Sequence, residues 1–78
     1  PVSTTICRNL APNISGSCEK AFLVRLSSYG GGSLGPIQHY TVYGQFKLSS
    51  NKRIIAPLKY FEDSYSDAVR FIESSSVD

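Results

Sequence analysis

Residues 17–30 read SCEKAFLVRLSSYG, and this stretch is open to two structures. Ser17 can cap a helix in which Cys18, Ala21, Phe22, Arg25, Leu26 and Tyr29 recur at helical spacing, with Gly30 where a helix-ending glycine belongs. The same residues place Phe22, Val24 and Leu26 at strand spacing on one face. The cap, the length and the terminal glycine favour the helix, so the sequence predicts a helix over residues 18–29.

On the N-terminal side, Val2, Thr4 and Ile6 alternate with Ser3, Thr5 and Cys7. Period-2 alternation rich in β-branched residues predicts a short first strand. Arg8 to Gly16 then forms a connection holding Pro12, Asn13 and Gly16. On the C-terminal side, Gly30 to Pro36 reads as a flexible linker. Beyond it Tyr40, Val42, Phe46 and Leu48 are predicted to face a core, while His39, Thr41, Tyr43, Gln45 and Lys47 face the other way. Gly44 interrupts the core side, as a bulge or a close backbone approach would require. Ser49-Ser50-Asn51 supplies a turn, Arg53 to Ala56 returns antiparallel, and Pro57 ends the hairpin.

From Tyr60 the period becomes helical. Phe61, Tyr65, Ala68 and Ile72 form an apolar stripe flanked by Val69 and Phe71, with Asp63 or Ser64 as cap. The predicted order is β-α-β-β-α: an α+β two-layer sandwich, its sheet mostly antiparallel, with two helices on one face. Residues 1–78 are read as a single domain, with Ser74 to Asp78 as a polar tail.

A chain of 78 residues has room for one hydrophobic core and often needs a staple or a partner to hold it. Apolar residues at 41% and charged residues at 18% describe an ordinary folded chain. The longest apolar stretches, Ala21 to Val24 and Ile54 to Leu58, fall far short of the ~20 residues that span a bilayer, so no transmembrane segment is expected. The net charge is +2, unevenly placed: seven Lys/Arg stand against Glu19 alone up to Lys59, and Arg70 alone stands against five acids from Tyr60 onward. A basic side of this kind suits an anionic partner.

Cys7 and Cys18 make an even pair, and Asn13-Ile14-Ser15 between them is an N-glycosylation acceptor pattern. With Pro1 at the start, no methionine and thirteen serines, these features suit a mature secreted chain released from a precursor. The alternative is a cytoplasmic protein whose cysteines are reduced and packed. A Cys7–Cys18 disulfide is the expected state, worth roughly 2 to 3 kcal/mol for a loop of this length.

Reactive chemistry is thinly represented, and neither a catalytic set nor a cofactor is expected. Two cysteines and His39 offer at most three soft ligands without metal-site spacing. Cys18 near a helix start could be an activated nucleophile only if His39 arrived from a separate strand to serve it. Gly30, Gly32 and Gly35 satisfy the dinucleotide fingerprint literally, but Pro36 and a strand follow where a helix is required. Glu62, Asp63, Asp67 and Glu73 read as a solvated face.

Binding is left as the expected mode of action, with His39, Tyr43, Lys47, Lys52 and Arg53 as the candidate binding residues. A secreted, disulfide-bonded toxin, effector or inhibitor, completed by another polypeptide chain across an open sheet edge, is the leading reading. The alternative is a single-stranded nucleic-acid-binding module, because aromatic and basic side chains on an open sheet suit bases and phosphates.

Overall fold

The computed structural model describes residues 2–29 and 35–76. Its order is α1 (Thr4–Leu10), β1 (Ser17–Tyr29), β2 (Pro36–Lys47), β3 (Arg53–Glu62) and α2 (Tyr65–Ser74). The three strands form one antiparallel sheet in the order β1-β2-β3. The class is therefore α+β with helices packed against the sheet, as expected, but the order is α-β-β-β-α. The two N-terminal assignments exchange places: the predicted strand is α1, and the predicted helix over residues 18–29 is β1.

Pairing length explains β1. Strand β2 alternates over twelve residues, and a four-residue return at Arg53 to Ala56 would leave most of its backbone groups without partners. Residues 17–29 match it from Ser17↔Lys47 to Tyr29↔Pro36, with one irregularity between Cys18 and Lys20. A helix there would satisfy its own hydrogen bonds but strand those of β2. On the other side β3 also outruns its predicted end, passing through Pro57 to Glu62 with an irregular register opposite Val42/Tyr43. Proline is tolerated there because β3 is an edge strand and the register breaks beside it.

Helix α1 has seven residues, too few to nucleate by itself. It is held from outside. Ser3 is its N-cap and its hydroxyl accepts from the Ile6 N–H at 3.0 Å. Cys7 is fully buried and joined to Cys18 at the start of β1. The Ser3 N–H also donates to the Ser75 carbonyl at 2.6 Å, tying the N-terminus to the end of α2. The segment expected as a free polar tail thus begins as an anchor; Ser74 closes α2 and Ser75 caps it.

Helix α2 starts later than its period suggests, because Phe61 belongs to β3. Asp63 turns the chain with φ 52 and Ser64 stands at the N-cap. Ala68 is fully buried, Phe71 meets Phe61 with ring centroids 5.8 Å apart, and Tyr65 meets Tyr40 at 5.3 Å. The core consists of Val2, Cys7, Ala21, Val42 and Phe46, with Ile6, Leu58, Phe71 and Ile72 packed around it. Gly44 is a close approach in the core: a Cβ there would lie 2.9 Å from the Cys7 Sγ, so the disulfide rests on bare backbone.

The hairpin turn at Ser49-Ser50-Asn51 forms as expected, with Asn51 at φ 67 and its N–H donating to the Leu48 carbonyl at 2.9 Å. Of the glycine-rich connection, Gly30 to Leu34 lie outside the described residues; Gly35 has φ 70, where glycine is favoured. A radius of gyration of 14.2 Å exceeds the roughly 11.5 Å expected of a compact chain this long, and the extents are 48 × 26 × 15 Å. The molecule is a slab, with helices on one face of the sheet and nothing packed on the other among the described residues. No helix among those residues is long and apolar enough to cross a membrane.

Candidate binding face

Alternation along β2 decides which side chains reach the uncovered face. Tyr40, Val42 and Phe46 turn inward and are buried, so His39, Thr41, Tyr43, Gln45 and Lys47 turn outward. Register then adds neighbours. Phe22 lies opposite Tyr43, Val24 opposite Thr41 and Leu26 opposite His39 on β1. On β3, Tyr60 lies opposite Thr41, Pro57 opposite Tyr43 and Ile55 opposite Gln45. Leu26, Ile55 and Tyr60 are 57%, 58% and 55% exposed, a large apolar load for the outside of so small a protein.

Two ring pairs order this face. Phe22 and Tyr43 stack with centroids 6.0 Å apart, and His39 stacks with Tyr60 at 5.7 Å. The His39 imidazole is hydrogen-bonded on both sides, its Nε2 with the Ser28 hydroxyl and its Nδ1 with the Tyr60 hydroxyl. Whichever nitrogen carries the proton donates and the other accepts. This hydroxyl–imidazole–phenol chain spans all three strands and fixes the ring as part of the platform.

The basic end lies toward the hairpin turn. Lys47 and Arg53 are opposite one another, Lys52 is exposed in the turn, and Lys20 follows the irregular position on β1. Arg53 is not free: its Nε donates to the Glu19 Oε1 at 2.9 Å, and Gln45 Nε2 donates to the same oxygen at 3.2 Å. The Glu19 carboxyl is held below the usual carboxylate range, chiefly by the hydrogen bond from Arg53 and then by that from Gln45. At the opposite end of the face Glu62 lies across from His39.

The structure thus brings His39, Tyr43, Lys47 and Arg53 onto one surface, with Lys52 beside it. Sequence reasoning missed Phe22, Leu26, Ile55, Tyr60, Ser28 and Glu19. Reading residues 17–29 as a strand would have delivered Phe22, Leu26 and Ser28 by alternation alone. Nothing local signals Glu19, whose position depends on the register break next to it.

Away from this face, the disulfide spans Cys7 and Cys18 with Cα atoms 6.3 Å apart. Arg8 closes the connection beside it: one guanidinium nitrogen donates to the Ile14 carbonyl and, at 3.2 Å, to the Gly16 carbonyl. Asn13 and Ser15 of the glycosylation pattern are exposed on that connection. A shallow depression of about 420 Å³ beside the disulfide is lined by Thr4, Thr5, Arg8, Asn9, Ser17 and Cys18. Among the described residues no three His, Cys, Asp or Glu side chains gather as a metal site would require. No protein-family model, no curated protein and no solved structure matches this chain.

Proposed function

We propose that this chain is a small secreted binding protein, of the toxin, effector or inhibitor kind, that engages another polypeptide through the uncovered face of its sheet. The observation that carries this reading is the exposure of Leu26, Ile55 and Tyr60 on one flat surface opposite the helices. Aliphatic and aromatic area of this kind gains most from meeting apolar protein surface. The disulfide and the accessible Asn13 sequon support an oxidising compartment. The open edges of β1 and β3 offer a secondary contact, but Leu26, Ile55 and Tyr60 lie together on the face, so the face is primary.

The same surface supports the single-stranded nucleic-acid alternative less well. Its rings suit base stacking, but Leu26 and Ile55 have no π-face to offer and Glu19 already neutralises Arg53. A random-sequence peptide library selected on the protein, then counter-screened on the Leu26→Asp/Ile55→Asp variant, tests the proposal. Enriched peptides that lose affinity for the variant are expected. Peptides indifferent to both substitutions would overturn it, and binding of single-stranded DNA or RNA that weakens steeply with salt would favour the alternative.

A further inference from the structure

We infer that the polypeptide this face accepts is a second copy of the same chain, the two sheets stacked with their strands antiparallel. The inference rests on the binding reading above and names its occupant. Two observations carry it, the distribution of charge and the available area.

Charge runs along the strands. At one end of the face Glu19 pairs with Arg53, and Lys20 and Lys47 keep that end positive; Glu62 stands at the other end with Asp63 following it. No ion pair of Glu62 is formed among the described residues. A two-fold axis lying between the sheets and perpendicular to the strands reverses one copy end for end. The Lys47/Arg53 end of each copy then faces the Glu62 end of the other, and symmetry makes the contact twice. An axis parallel to the strands would instead set Lys47 against Lys47. Charge selects the antiparallel arrangement.

The antiparallel arrangement also matches the apolar centre. Setting the Lys47/Arg53 pair over the His39/Glu62 pair puts the axis at Tyr43, so Ile55 of one copy overlies Tyr60 of the other, and the Phe22–Tyr43 ring pairs meet across the axis. Such packing is the aligned sheet-on-sheet geometry of a β-sandwich.

Area places the contact among small interfaces. Three strands about 4.8 Å apart and some 12 residues long present about 500 Å² each, so two copies bury about 1,000 Å², the lower limit for a specific interface. A contact of this size is of the weak, reversible kind.

Sedimentation equilibrium of the full oxidised chain, from micromolar concentrations to about 1 mM, reads the result. A species of twice 8.5 kDa is expected at the upper end. Ile55→Asp should leave a monomer; Lys47→Glu and Glu62→Lys should each weaken the dimer roughly tenfold, because each contact occurs twice. The Lys47→Glu/Glu62→Lys double reversal should restore most of the affinity. Circular dichroism and an intact disulfide mass confirm that each variant folds. A dimer indifferent to Ile55→Asp, or charge reversals that do not compensate, would overturn the inference. A wild-type monomer that still selects face-dependent peptides would remove the second copy and leave the binding reading standing; a monomer that selects none would sink both.

Discussion

Replacing Gly44 with alanine probes the contact on which the N-terminal helix rests. The added methyl would lie 2.9 Å from the Cys7 Sγ, 3.0 Å from the Phe46 Cε1 and 3.1 Å from the Leu58 Cδ1. The nearest of these atoms is cross-linked and Phe46 is fully buried, so neither yields easily. Alanine in a strand interior is worth about 0.5–1 kcal/mol over glycine, whereas overpacking a tight site costs about 1–3 kcal/mol. The crowding wins, and Gly44→Ala should destabilise the oxidised protein by about 0.5–2 kcal/mol. In a Cys7→Ala/Cys18→Ala background the closest atom is gone, and the penalty should fall by about 1 kcal/mol, a coupling ordinary for residues in contact. Equilibrium urea unfolding followed by circular dichroism, with equal slopes checked across variants, measures all four proteins. Equal penalties in both backgrounds, or a stabilised Gly44→Ala protein, would refute the packing of the disulfide on this glycine.

Removing the disulfide alone, as Cys7→Ala/Cys18→Ala, should cost about 3 kcal/mol by loop-closure entropy out of a total of about 4–12 kcal/mol for 78 residues; an unchanged urea midpoint would contradict this. Carbon-detected NMR titration should find Glu19 ionising below the ordinary carboxylate range, and Arg53→Ala should move it back toward that range. The sign follows from the lowered value: the Glu19–Arg53–Gln45 link stabilises the fold above the unfolded-chain pKa of Glu19 and is lost as pH falls through its depressed folded value. A Glu19 that titrates normally in the wild type would show the link to be absent in solution.

The parts legible in the sequence are those whose signal is local. Alternation from Tyr40 to Phe46 marked both faces of β2, and the turn at Ser49-Ser50-Asn51 fixed the hairpin. The Cys7–Cys18 pairing and the Ala68/Ile72 stripe were also readable. The exchange of helix and strand at the N-terminal end arose because neither segment decides its structure locally. Val2, Thr4 and Ile6 alternate over too few residues to exclude a capped turn of helix, and Ser3 supplies that cap. Residues 18–29 carry both periods at once, and only the length of β2 arbitrates. That is an argument about two segments together, which a window moved along the chain does not make. The binding face suffered in proportion: the β2 residues and Arg53 were found, and their β1 neighbours were hidden inside a predicted helix.

The segment from Cys7 to Cys18 is a closed covalent ring, shut by the disulfide and pinned across its middle by Arg8. A protease that cuts the exposed stretch around Asn13 therefore opens a ring rather than dividing a molecule. The cut protein gains one water, keeps α1 seated over Gly44, and becomes two chains that travel as one until a reductant arrives. Reduction after such a cut would free the N-terminal piece and uncover the core beneath it, whereas either event alone leaves the piece attached. The N-terminal cap of this fold is thus removed only when a cut and a reduction coincide.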